Sequence, residues 1–177
     1  MKHLICILFA AMISVSAFAQ ETALENILKS KDGKYVFEEV VSVPEATASQ
    51  LYGKAKLFFA NTFNSSKSVI QSDDSENNTI VGKGTIVKHE DEGLGGIYYY
   101  FTLQIQSKEG KYRYTISDIK LDMTGLAPMK SSIEESVERG MQKGLSETDA
   151  AKSYYEEFSP IIEKIKQQIM ISNDDNW

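Results

Sequence analysis

Two hydrophobic periods alternate along the chain, and each switch between them marks an element. Lys34 to Val43 is rich in Tyr, Val and Phe and reads as a strand that Pro44 ends. From Leu51 the period becomes helical, with Leu51, Tyr52, Ala55, Phe58, Phe59 and Phe63 on one face. Thr47-Ala48-Ser49-Gln50 is a capping box, so this helix is expected to start near Ala48 and to end in the polar stretch Asn61 to Lys67. Upstream, Gln20 to Gly33 reads as a lead-in. Its Thr22-Ala23-Leu24-Glu25 box and the trio Leu24, Ile27 and Leu28 imply at most two helical turns, closed by a turn at Lys31-Asp32-Gly33.

Four strands are expected next. Ser68 to Ser72 is short and is followed by the turn cluster Asp73 to Asn78. Thr79 to His89 carries Gly82 and Gly84 on one face, which implies close approach of a large side chain or a bulge. After an acidic, Gly-rich loop from Glu90 to Gly96, strict alternation runs from Ile97 to Ser107. Ile97, Tyr99, Phe101, Leu103 and Ile105 form a dry face, and Tyr98, Tyr100, Thr102, Gln104 and Gln106 a wet one. Lys108-Glu109-Gly110 makes a tight hairpin into Lys111 to Asp122. There Tyr112, Tyr114 and Ile116 share one parity while Ile119 and Leu121 take the other, so a bulge is expected near Ser117-Asp118.

Ser131-Ser132-Ile133-Glu134 can open a short helix whose end Gly140 and Gly144 weaken. A long helix follows from about Thr148, striped by Tyr154, Phe158, Ile161, Ile165 and Ile169. Ser159-Pro160 is expected to kink or restart it. The order strand, helix, four strands, helix, with hairpin-linked antiparallel strands and two amphipathic helices, defines an α+β two-layer sandwich: a sheet backed by helices on one face. One domain is expected over residues 34–171, with a polar tail from Ser172 to Trp177.

The N-terminus changes where this domain is expected to act. Lys2 and His3 precede an apolar run from Leu4 to Ala11, continued by Met12, Ile13 and Val15, and Ala17-Phe18-Ala19 fits the small-x-small cleavage rule. Export with cleavage between Ala19 and Gln20 is expected, into the periplasm or beyond. The run is too short for comfortable membrane spanning, which takes about 20 apolar residues. No stable membrane insertion is expected after cleavage.

Charge and composition then remove whole classes of function. The 177 residues carry 19 Lys+Arg and 25 Asp+Glu, a net charge of −6. That balance lacks the basic footprint of a nucleic-acid binder. Cleavage removes Cys6 and His3 and leaves His89 as the one histidine, so thiol catalysis and a Cys- or His-rich metal cage are excluded. No G-x-S-x-G elbow accompanies His89. His89-Glu90-Asp91-Glu92 lacks the spacing at which ligands converge, and Asp73 to Asn78 lacks the calcium-loop pattern, so neither is taken as a metal site. Ser117-x-x-Lys120 matches a serine-hydrolase motif in letters, but on a regular strand its ends face opposite ways. No catalytic residue, metal or cofactor is assigned.

Several segments resemble a known family. They are Tyr35-Val36-Phe37-Glu38-Glu39-Val40-Val41; Leu51-Tyr52-x-x-Ala55-Lys56-x-Phe58-Phe59; Lys67-Ser68-Val69-Ile70-Gln71 with Ile80-Val81-Gly82-Lys83-Gly84; and Lys111-Tyr112-Arg113-Tyr114-Thr115-Ile116-Ser117-Asp118-Ile119. Together they are similar to a domain of unknown function in small exported proteins of Bacteroidota, described as having a TBP-like fold. The similarity runs from about Tyr35 to Leu121. It implies a curved antiparallel sheet backed by helices, in the order β-α-β-β-β-β-α. It implies no activity and carries over no catalytic residue, because the name describes a shape.

One surface carries a functional expectation. If the odd positions of Ile97 to Ser107 face the helices, Tyr98, Tyr100 and Thr102 face away, joined by Arg113 and Thr115 of the next strand and by Lys83. Aromatic rings beside cations on an open sheet suit a sugar or a partner peptide. Two plainer readings stand beside it: exposed Tyr and Thr simply have good β-propensity, or the segment Met123 to Glu147 covers them. The expected function is therefore a non-catalytic envelope binding module with a protein or glycan partner. The alternatives are a carboxylate-dependent hydrolase of envelope polymers and a structural subunit that pairs through a sheet edge.

Overall fold

The computed structural model describes residues 24–63, 69–91 and 95–170. The expected export segment and the polar tail lie outside them. The elements are β1 (Leu28–Lys31), β2 (Lys34–Ser42), α1 (Ala48–Thr62), β3 (Ile70–Asp74), β4 (Thr79–Asp91), β5 (Gly95–Lys108), β6 (Lys111–Met123), β7 (Met129–Ser132), α2 (Ile133–Gln142) and α3 (Glu147–Met170). The strands form one antiparallel, curved sheet in the order β1-β2-β6-β5-β4-β3, with β7 added to β6. β2 and β7 share one edge of β6: β2 pairs Lys111 to Ile116, and β7 pairs Lys120 to Met123.

The strand, helix, four strands, helix core stands as the sequence pattern predicts, and two strands are additional. Leu28, expected on a helix, begins β1 instead; among the described residues of the lead-in, 24–27 are helical. Asp32 and Gly33 take φ of +50° and +73°, the left-handed pair that a two-residue hairpin turn needs, so the expected turn is a β1–β2 hairpin. Leu24 and Ile27 are buried in the core, which makes the lead-in part of the fold. β4 and β5 also extend into the expected loop, pairing as far as Asp91 with Gly95.

The core lies on one side of the sheet. Tyr99, Phe101, Leu103 and Ile105 of β5, with Tyr112, Tyr114, Ile116 and Ile119 of β6, are buried under the helices. Phe158 of α3 is their hub: its ring lies 5.8 Å from Phe37, 6.1 Å from Tyr99 and 5.2 Å from Phe101. Gly82 and Gly84 make room on β4. A Cβ on Gly82 would come within 2.5 Å of the Phe59 ring, and one on Gly84 would enter the Phe101 ring. Polar ties flank this core. Glu39 accepts the Tyr114 hydroxyl at 2.9 Å and pairs with Lys166 of α3 at 2.8 Å. Burial first, then the Glu39 charge, pushes the Tyr114 phenol far above its ordinary range, so it stays a donor. Asp73 of β3 pairs with Lys56 of α1 at 2.6 Å and accepts the Tyr52 hydroxyl.

α3 runs unbroken through Pro160, so the expected restart is absent. Proline cannot donate to the carbonyl four residues earlier. That carbonyl belongs to Glu156, and the Ser159 hydroxyl donates to it at 3.2 Å, so Ser159 repairs the helix rather than capping a new one. The buried stripe differs at one position: Ile162 is buried, and Ile161, expected there, is only partly buried.

Two stability predictions follow from these contacts. Gly82→Ala and Gly84→Ala are each expected to destabilise by about 1–3 kcal/mol through overpacking, read as a lower urea midpoint at unchanged slope. Ser159→Ala is expected to cost about 1 kcal/mol, and combining it with Pro160→Ala to recover that loss. Equal stability of the single and double variants would refute the repair.

Candidate ligand-binding face

The helices leave the second face of the sheet uncovered, and strand register arranges its side chains in rows. Thr85 of β4 pairs with Tyr100 of β5, Tyr100 with Lys120 of β6, and Lys120 with Ser132 of β7. On one side of this row lie Lys83, Thr102 and Ser117; on the other lie Val87, Tyr98, Asp122 and Lys130. The centre of the face is hollowed into a cavity of about 850 Å³, and Lys83, Thr85, Tyr100, Thr102, Lys120 and Ser132 are among its lining residues. That is within the size range of small-molecule sites.

The bulge expected near Ser117-Asp118 shapes this cavity. Thr102 pairs with Ser117 and Tyr100 with Lys120, so β6 holds one extra residue, and Asp118 takes φ +52°. The extra residue turns Ile119 to the core and brings Lys120 onto the same open face as Ser117, where a regular strand would part them. The letters of S-x-x-K therefore do share a face, yet no hydrogen bond links Ser117 to Lys120 among the described residues. The sequence signal for Lys120 was present: the parity switch that moves Ile119 and Leu121 inward moves Lys120 outward.

Three of the five expected residues converge. Tyr100 is 44% exposed. Thr102 donates to Asp118 Oδ2 at 3.2 Å, and Lys83 is exposed beside it. The other two lie apart. Tyr98 leans over Gly96, where a Cβ would come within 2.6 Å of its ring, and donates to Glu90 at 3.0 Å. Arg113 donates to Gln106 at 2.8 Å and lines a separate depression of about 190 Å³ with Val40 and Lys111. Periodicity assigned all five to one face but could not say how far along the strands each sits. Segment 123–147 does not cover the tyrosines. It adds β7 in the plane of the sheet and packs α2 on the helical side, so that Lys130, Ser132 and Glu135 form one cavity wall.

The charges divide into paired and free. Asp122 pairs with Lys130 at 3.0 Å and Asp118 with Lys34 at 3.5 Å. Glu135 accepts the Ser132 N–H at 3.0 Å in the α2 capping box. The side chains of Lys83 and Lys120 have neither ion pair nor hydrogen bond among the described residues. No group of three or more His, Cys, Asp or Glu able to hold a metal ion occurs among the described residues. His89 is an exposed strand residue paired with Ile97, and Asp74 spends its carboxylate on the N–H groups of Glu76 and Asn77 in the β3–β4 turn. No described helix is long and apolar enough to cross a membrane.

An antiparallel curved sheet with helices on one face and the other face open is the TBP-like form of α+β architecture. Residues 37–122 match the family described as a domain of unknown function (DUF4468) with TBP-like fold, in agreement with the resemblance seen in the sequence. Two solved structures share the fold. A TBP-like protein from Parabacteroides distasonis is 8% identical, with a TM-score of 0.64 over 82% of this chain and 98% of that one. A DUF4468 family protein from Bacteroides ovatus is 15% identical, with a TM-score of 0.56 over 86% of this chain and 95% of that one. No curated protein matches the chain.

Asp118→Val is expected to destabilise by about 1–2 kcal/mol, because a β-branched residue resists the left-handed backbone. Asp118→Gly is expected to cost less. Denaturant melts of the two variants check the order.

Proposed function

We propose that this protein is a non-catalytic binding module of the cell envelope, exported after cleavage between Ala19 and Gln20, and that the open face of its sheet is the binding surface. The observation that carries this reading is the cavity on the uncovered face, with the exposed ring of Tyr100 at its centre and Thr102 and Lys83 beside it. The acids around it favour binding over hydrolysis. Asp122 is engaged by Lys130, Asp118 by Lys34 and Thr102, and Glu135 by the α2 cap, which leaves no free carboxylate pair to divide acid and base roles. The export segment at 1–19 and the inventory without cysteine after cleavage support the envelope assignment.

The test is a titration of the mature protein with fractionated envelope extract, followed by amide chemical shifts. Shifts are expected around Tyr100, Thr102 and Lys83. Tyr100→Ser is expected to abolish them and Tyr98→Ser to leave them largely intact, since Tyr98 lies outside the cavity lining. Unchanged binding by a folded Tyr100→Ser protein would sink the assignment of the face.

A further inference from the structure

We infer that the ligand of this face is a carboxylated oligosaccharide, held with a sugar ring on Tyr100 and its carboxylates on Lys83 and Lys120. The inference rests on the reading of the open face as a binding surface and adds the chemistry of what it binds.

The register supplies the first part of the argument. Tyr100 stands directly opposite Lys120 across the β5–β6 pair, and Lys83 lies diagonal to it across β4–β5, opposite Thr102. Directly opposite residues have Cβ atoms about 4.5–5.5 Å apart and diagonal ones about 7–8 Å, within reach of long side chains. The exposed ring thus has an ammonium group on either side. Both lysines are unpartnered among the described residues, while the third lysine of the lining, Lys130, is already paired with Asp122. The lining holds three lysines against Asp118, Asp122 and Glu135, and its two lysines without a salt bridge are Lys83 and Lys120. An anion entering it gains two partners without breaking an existing pair.

The remaining lining selects the kind of anion. Thr85, Thr102 and Ser132 present hydroxyls and Tyr100 a ring edge and phenol, a set that exchanges hydrogen bonds with sugar hydroxyls. Asp118, Asp122 and Glu135 stand around the same cavity and would repel a dense polyphosphate or nucleic-acid backbone, yet they can accept from sugar hydroxyls. There is no arginine in the lining to form a bidentate fork on phosphate. The row from Thr85 to Ser132 crosses three strand spacings, about 14 Å, long enough for several linked sugars rather than one.

The experiment is calorimetric titration of the mature protein with tetragalacturonic acid and, separately, with neutral maltotetraose, at low and high salt. The acidic tetrasaccharide is expected to bind, more weakly as salt rises, and the neutral one to bind at least about tenfold more weakly. Lys83→Gln/Lys120→Gln is expected to lose about tenfold in affinity for the acid. Lys108→Gln/Lys111→Gln, with the same charge change at the β5–β6 hairpin, is expected to keep it. Equal affinity for both sugars, or equal loss in both double variants, overturns the inference while Tyr100→Ser still reports whether the face binds. No binding of the acid, with envelope extract still shifting the open face, overturns the inference alone. Failure of both overturns the face as well.

Discussion

The structure depends on burial being confined to one side of the sheet, and Phe158 is where that constraint is met. Its ring joins Phe37 of β2 to Tyr99 and Phe101 of β5, tying α3 to strands that are far apart in sequence. Tilted and edge-on aromatic pairs of this kind contribute about 0.5–1.5 kcal/mol each beyond the area they bury. Because α1, α2 and α3 all spend their apolar faces on the same side, no described helix covers the other. The open face is the consequence of where the apolar surface went, and its polar rows of Thr, Tyr, Lys and Ser are what a half-solvated sheet carries.

β6 mediates between the two faces. It is long enough to hold β2 along its first half and β7 along its second, and the bulge at Asp118 falls between the two pairings. Glu134 of α2 reaches back to the N–H of Tyr35 in β2 at 3.1 Å, which ties the late helix to the early strand near this junction. One extra residue has two effects. It keeps Ile119 in the core, and it delivers Lys120 to the cavity beside Tyr100. Stability and the candidate site therefore share a single local irregularity, as bulges beside functional surfaces commonly do.

Charge tells a similar story of local against global. The chain is acidic as a whole, and most acids near the cavity already have a cation or a backbone donor. What a ligand would meet is set by the residues left over, Lys83 and Lys120, rather than by the net charge. The shape is shared with proteins only 8% and 15% identical, so shape tolerates nearly complete replacement of side chains and by itself names no ligand.

The sequence by itself determined the periods: which residues of β5 are dry, where α1 is capped, and that β6 changes parity near Ser117; for the β4 glycines it left close approach of a large side chain and a bulge both open. These are local consequences of backbone geometry and side-chain type, and they suffice for the sandwich and for naming a wet face. β1 and β7 escaped because each is four residues long and mostly polar, stable only as an addition to a sheet already built. That α3 runs unbroken through Pro160 was likewise not legible, because the Ser159 hydroxyl that satisfies the Glu156 carbonyl acts through side-chain geometry. The composition of the cavity was decided by tertiary structure alone. Whether Tyr98 and Arg113 join Tyr100, or Lys120 and Ser132 do, depends on strand register and on the curvature of the sheet, and pairing between distant strands leaves no mark in the period of either one.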